Sequence, residues 1–90
     1  MPVVENTVII TNKVGLHARP ATLFVQEAAN FQAQIQVKNG ETSANAKSIL
    51  GVLKLGASQG ATLLLRAEGE DAAEAIQALV SLVERKFGEE

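Results

Sequence analysis

Phe31-Gln32-Ala33-Gln34-Ile35-Gln36-Val37-Lys38 is the cleanest alternating run in the chain, and Asn39-Gly40 follows it directly. Phe31, Ala33, Ile35 and Val37 fall on one face, and Gln32, Gln34, Gln36 and Lys38 on the other. This is the pattern of a strand with one buried and one wet face. Asn-Gly is a strong hairpin signal, so Asn39-Gly40 predicts a tight turn into a returning strand over Glu41–Ala44. That segment is short and polar, as suits a sheet edge. A sheet wet on one side needs covering elements on the other side only.

The flanking segments supply them. Upstream, Val4, Val8 and Ile10 share a face of a first strand, roughly Val3–Thr11, with Glu5 and Thr7 opposite. Ala21, Phe24, Val25 and Ala28 recur at i, i+3, i+4 and i+7, the apolar stripe of a helix from about Ala18 to Asn30. Downstream, Ser48 precedes a short helix ended by Gly56. Gln59-Gly60 turns the chain into a strand over Ala61–Ala67 whose core face is Ala61, Leu63, Leu65 and Ala67. Asp71 and Glu74 have the spacing of an acidic capping pair at the start of a last helix. Ile76, Leu79, Val80, Val83 and Phe87 form its stripe, Arg85 and Lys86 suit its negative end, and Gly88 stops it. The order βαββαβα predicts an α+β fold, an antiparallel sheet with helices on one face. Periodicity leaves the strand order open, and a ferredoxin-like sheet fits nearly as well.

With 90 residues, 47% of them apolar, residues 1–90 are expected to form a single domain with one core. The chain has no cysteine, hence neither disulfides nor a thiolate metal site. Net charge is −2 with no basic block, and the only aromatics are three phenylalanines, which argues against a nucleic-acid partner. Met1-Pro2-Val3-Val4-Glu5 lacks a basic segment followed by an apolar run, and no apolar stretch nears the ~20 residues that span a bilayer. A cytoplasmic protein without membrane insertion is expected.

The chemistry concentrates in Gly15-Leu16-His17-Ala18-Arg19-Pro20, which holds the only histidine. Gly15 lets the chain turn, His17 brings a nucleophilic nitrogen, and Arg19 brings a fork of donors that matches phosphate oxygens. Pro20 suits a first helical turn. Two helix starts are compatible with this: Pro20 at the first position with Arg19 as cap, or an earlier start capped by His17. A helix start offers free N–H groups and a positive dipole end, so it favours an anion and the neutral imidazole. A neutral ring there can attack phosphorus, and the charge that develops falls among donors already in place. The plainer reading makes His17 a modest helix cap and Arg19 an ordinary surface charge.

Other chemistries fit poorly. Gly51 to Ser58 imitates a phosphate-binding loop, but Ala57 stands where the lysine belongs and the stretch reads as helix. No HxxxH or HxH pair is present for a metal, no GxSxG for a hydrolase, and no cofactor is indicated. The wet sheet face, with Gln34, Gln36, Lys38, Thr62 and Arg66, lacks the aromatics of an RNA-binding sheet.

Taken together, Gly15-Leu16-His17-Ala18-Arg19-Pro20-Ala21 and, thirty residues later, Lys47-Ser48-Ile49-Leu50-Gly51-Val52 resemble two motifs of the histidine-containing phosphocarrier (HPr) family of the bacterial sugar phosphotransferase system. The resemblance covers nearly the whole chain. It implies an open-faced β-sandwich with sheet order 1-4-2-3 and three helices on one face. It implies that His17 takes phosphate on Nδ1 from phospho-enzyme I and passes it to sugar-specific enzyme II A components. Arg19 and the amides around Ala18 and Arg19 would face that phosphate, with Pro20 in the same motif. Ser48 would be the target of an HPr kinase, and its phosphorylated form would bind a catabolite-control repressor. Such a chain is a monomeric carrier, a substrate of enzymes rather than an enzyme. Two neighbouring roles share the motifs: a nitrogen-branch carrier, and a regulatory protein acting mainly through Ser48.

The resemblance also gives a meaning to the residues after Ser48. In so short a helix, Val52 and Leu55 can point into the core while Ile49, Leu50 and Leu53 lie elsewhere. Either all five are core, or Ile49, Leu50 and Leu53 form an exposed patch beside His17 where enzyme I docks. The acidic end, Glu89-Glu90, has no role that the sequence alone assigns.

Overall fold

Residues 1–89 are described by a computed structural model. The alternating run becomes β2 (Gln34–Asn39), and the order of elements is β1 (Val3–Ile9), α1 (Ala18–Ala28), β2, β3 (Thr42–Asn45), α2 (Ile49–Lys54), β4 (Thr62–Glu68) and α3 (Ala72–Glu84), followed by a 3-10 turn over Lys86–Gly88. The strands form one sheet in the order β1-β4-β2-β3, with every neighbouring pair antiparallel. This is the open-faced sandwich, and it excludes the ferredoxin-like order. No helix among the described residues is long and apolar enough to cross a membrane.

Alternation does the sorting. Val8, Ile35, Val37, Leu63, Leu65 and Ala67 are buried on the inner face, while Glu5, Thr7, Gln34, Gln36, Lys38, Thr62 and Arg66 are exposed on the outer one. The helices close the inner face with Ala21, Phe24 and Ala28 from α1, Val52 from α2, and Ile76, Leu79 and Val83 from α3. On the outer face Arg66 pairs with Glu5 (3.4 Å) and Glu68 (3.8 Å), exposed contacts of small energetic weight.

Several boundaries differ from the periodicity by one or more residues, and four have an identifiable local reason. The first strand ends at Ile9 rather than Thr11, because Ile10 leaves the ladder to bond Ala61 O and Gly60 N–H while keeping its side chain fully buried. The second begins at Gln34 rather than Phe31. The N–H groups of Gln32 and Ala33 donate to the Asp71 carboxylate (2.8 and 2.9 Å), and Lys47 Nζ donates to Phe31 O (2.6 Å), so this stretch is held by side chains instead of a strand. The hairpin loop is Gly40-Glu41, between the paired Asn39 and Thr42. Asn39 is therefore the last strand residue, and its Nδ2 donates to Leu55 O (2.9 Å) at the end of α2. The last helix stops at Glu84, before two left-handed residues, Lys86 and Phe87, rather than running on to Gly88.

Asp71 also corrects the expected capping pair. It occupies the N-cap of α3 but makes no side-chain cap bond there; both carboxylate oxygens are committed to the 31–33 loop. Gly69 lets the two segments meet, since a Cβ on it would lie 2.7 Å from Ala33 Cα. The Gln32 N–H, assisted by the N–H groups of Ala33 and Asp71 itself and by the Lys47 charge, holds the Asp71 carboxyl below its ordinary value of 3.8, against a smaller opposing effect of burial. A carboxyl with a depressed folded-state value contributes stability that is present above the unfolded value and lost as pH falls through the folded one. Asp71→Asn should therefore melt below the wild type at neutral pH, and the gap should close below pH 3.8. Thermal melts across that range check it; a gap independent of pH would mean that the carboxylate charge is not what holds the loop.

Candidate functional site

Between β1 and α1 the chain makes a tight turn, in which Gly15 N–H donates to Asn12 O (3.2 Å) and Asn12 Nδ2 donates back to Gly15 O (2.9 Å). Asn12 is fully buried, the one buried polar side chain among the described residues. Leu16 N–H then donates to Ala57 O (2.9 Å), and the Leu16 side chain enters the core. Gly15 is required at this contact. Its φ is +65°, and a Cβ would stand 2.5 Å from Ala57 O and 2.7 Å from Ser58 Cα.

This loop delivers His17 to the N-cap of α1 with extended backbone (φ −85°, ψ −174°). Of the two helix starts the sequence allowed, the earlier one is present. His17 nevertheless does not cap with its ring: it is exposed, and its side chain makes no cap hydrogen bond. The first intrahelical bond runs from Ala21 N–H to His17 O (2.8 Å). Ala18, Arg19 and Pro20 thus precede the first satisfied donor. Pro20, third in the helix and buried, has no N–H to offer. Two free backbone donors are left, those of Ala18 and Arg19, at the positive end of the helix dipole and next to an uncommitted imidazole.

Arg19 points its exposed guanidinium toward the C-terminal end of the chain. Its Nη1 lies 3.5 Å from Glu89 Oε2, and Asn12 Nδ2 donates to Glu89 Oε1 (3.0 Å). The acidic end therefore does reach the site through Glu89; Glu90 lies outside the described residues. Asn12 and Glu89 carried no periodic signal, and their partners sit 77 residues apart.

The second motif is brought close through packing of α2 against α1 and through the Ala57–Leu16 bond. Ser48 is the N-cap of α2, its Oγ accepting from Gly51 N–H (3.1 Å). A helix of six residues is not stable by itself. Here the Ser48 cap holds one end, Asn39 Nδ2 holds Leu55 O at the other, and Val52 and Leu55 are buried below. Ile49, Leu50 and Leu53 are left 42%, 61% and 39% exposed, so the reading in which all five apolar residues are core is overturned.

These observations set two substitutions apart. Ser48→Ala removes a cap and should cost about 0.5–2 kcal/mol. Leu50→Ala, at an exposed position, should change stability by no more than about 0.5 kcal/mol. Urea unfolding of both variants measures this, and a Leu50 loss as large as that of a core leucine would contradict the exposed placement.

Comparison with known proteins places this geometry in context. A family model described as "PTS HPr component phosphorylation site" matches residues 4–85. The chain is 44% identical over 89 residues to phosphocarrier protein NPr of Shewanella violacea, covering 99% of this chain and 98% of the relative. It is 43% identical to the HPr-like protein Crh of Halalkalibacterium halodurans, covering 92% and 99% respectively. The crystal structure of HPr from Thermoanaerobacter tengcongensis superposes with a TM-score of 0.94 at 57% identity, covering 97% of this chain and 98% of that one.

Proposed function

The chain belongs to the HPr family of phosphotransferase-system phosphocarriers, and on that footing we propose that it carries a phosphoryl group on His17 from phospho-enzyme I to sugar-specific enzyme II A components. The observation that supports this best is the uncommitted His17 ring standing ahead of the unpaired N–H groups of Ala18 and Arg19. In the proposed transfer, the lone pair of His17 Nδ1 attacks phosphorus while the P–N bond of the donor breaks and its electron pair returns to the donor nitrogen. The Ala18 and Arg19 amides and the Arg19 fork take the phosphoryl oxygens, which stabilises charge without reorganisation. Donation to the acceptor is the same step in reverse. The chain is a substrate of its partner enzymes and has no turnover of its own, acting as a cytoplasmic monomer.

Ser48 supports a regulatory reading alongside the carrier reading. Its Oγ lies at the N-terminus of α2, at the edge of the exposed apolar patch of Ile49, Leu50 and Leu53. Phosphate from an HPr kinase at Ser48 would put charge where enzyme I docks and would be desolvated on docking. The same phosphorylated face would be the one offered to a catabolite-control repressor. The similarity to NPr keeps a nitrogen-branch acceptor as the second reading of the carrier role.

The test is labelling by enzyme I with phosphoenolpyruvate. The wild type should acquire an acid-labile, base-stable phosphate, and His17→Ala should acquire none. Ser48→Asp keeps a good cap and adds charge, so it should fold normally and be labelled several-fold more slowly; Leu50→Ala should slow labelling by lost contact area. Undiminished labelling of His17→Ala would end the carrier reading. Wild-type rates in both Ser48→Asp and Leu50→Ala would show that enzyme I docks elsewhere.

A further inference from the structure

Gly15 solves one problem for the loop before His17 and creates another. Lacking a side chain, it can press against Ala57 and Ser58 at φ +65°, but a glycine also leaves its own peptide unusually free to rotate. The Gly15–Leu16 peptide lies immediately upstream of the one that carries the His17 N–H, so its plane sets the direction in which the chain enters α1. It is held from both edges. Its N–H, on Leu16, donates to Ala57 O (2.9 Å), and its carbonyl, on Gly15, accepts from Asn12 Nδ2 (2.9 Å). The Gly15 N–H in turn donates to Asn12 O (3.2 Å), which closes a ring over residues 12–15. Lys13 and Val14, inside that ring, are exposed, so packing does not restrain the loop there. Stability alone does not account for an asparagine at this position. Its side chain is completely buried, and the groups facing Nδ2, Gly15 O and Glu89 Oε1 (3.0 Å), are both acceptors. The amide can therefore point only one way, and Oδ1 is left without a partner. A buried acceptor without a donor opposes folding, and such groups persist in native proteins where another constraint holds them.

We infer that Asn12 is a positioning residue for phosphoryl transfer: its side-chain amide fixes the Gly15–Leu16 peptide, and through it the place of the His17 ring relative to the Ala18 and Arg19 amides. This rests on the carrier reading above. Attack by Nδ1 needs the nucleophile aligned with phosphorus while the phosphoryl oxygens settle among donors that do not move. A displacement of about 1 Å can cost on the order of a hundredfold in rate. Ala57 O holds one edge of the peptide and by itself leaves it able to pivot about that bond. The Asn12 amide on the opposite edge removes the pivot. This role is separate from docking, because Ile49, Leu50 and Leu53 are carried by α2, which is placed by its Ser48 cap and the buried Val52 and Leu55 rather than by Asn12. The contact with Glu89 is the other route by which Asn12 could matter, and a swap of the two side chains' roles separates them.

Asn12→Asp keeps the shape of the side chain and replaces the donor by an acceptor. With enzyme I and phosphoenolpyruvate, and the carrier as the varied substrate, Asn12→Asp should lower kcat about tenfold, the effect of losing one ordinary hydrogen bond in the transition state, while KM changes by less than about twofold. Asn12→Ala, which adds no charge, should show the same split, and thermal melts establish that each variant is folded at the assay temperature. Asn12→Asp combined with Glu89→Gln restores a bond between positions 12 and 89, since the glutamine amide can donate to the new carboxylate, but it leaves Gly15 O without a donor. The double variant should therefore stay about tenfold below Glu89→Gln alone. Recovery to the Glu89→Gln rate would show that Asn12 acts only by holding Glu89, and would overturn the inference. So would a raised KM at unchanged kcat, or wild-type kinetics in folded Asn12→Ala. Loss of the fold in both single variants would make Asn12 a structural residue and overturn it as well. If the wild type itself takes no phosphate from enzyme I, the carrier reading fails first and this inference falls with it.

Discussion

The hydrogen bond from Leu16 N–H to Ala57 O, with Gly15 pressed against the backbone of Ala57 and Ser58, ties the start of α1 to the end of α2. It sets where the chain can turn into α1, and hence that His17 rather than Arg19 stands at the N-cap. It also fixes α2 relative to that N-cap, so two motifs thirty residues apart in sequence share one side of the molecule. Only glycine at position 15 permits so close an approach at that φ. A side chain there would push the loop away from α2 and carry His17 with it.

What the fold then does with this arrangement is to separate stability from chemistry. Stability lies below, in a core built from the inner faces of β1, β2 and β4 and the buried stripes of the helices. The chemical groups lie above it with little else to do. The His17 ring is not needed as a cap, Arg19 is exposed, and Leu50 is mostly out of the core. Ser48 is the exception, because its hydroxyl serves both as a cap and as a group that can be modified. Asp accepts the same cap bond, so charge can be added at that position without losing the helix.

Much of this was legible in the sequence. Alternation placed Ile35, Val37, Leu63 and Leu65 on one face, and the 3.6-residue stripe placed Phe24 and Ala28 against it, because both patterns report burial residue by residue. The strand order came from family resemblance, since periodicity carries no information on which strands neighbour one another. The parts that escaped are single polar side chains with distant partners. Asp71 reads as a cap for its own helix yet holds the backbone of Gln32 and Ala33. Asn39 reads as a turn residue yet holds Leu55. Asn12 and Glu89 meet across nearly the full length of the chain. A hydrogen bond of this kind leaves no period in the sequence, only an unremarkable Asn or Glu. The left-handed Lys86 and Phe87 are hidden for a similar reason: Gly88 announces a stop, but nothing in the sequence marks the two residues before it, and the buried Phe87 side chain holds the turn in place.

The central claim is that His17 and the two amides after it form one receiving site for phosphate. It is tested most directly by nuclear magnetic resonance on protein labelled with nitrogen-15 and phosphorylated by enzyme I and phosphoenolpyruvate. The account predicts a phosphorus–nitrogen coupling to His17 Nδ1, together with large shifts of the Ala18 and Arg19 amide resonances and small shifts in the sheet. A phosphate coupled to any other group, or a phosphorylated His17 with the Ala18 and Arg19 amides unmoved, would contradict it.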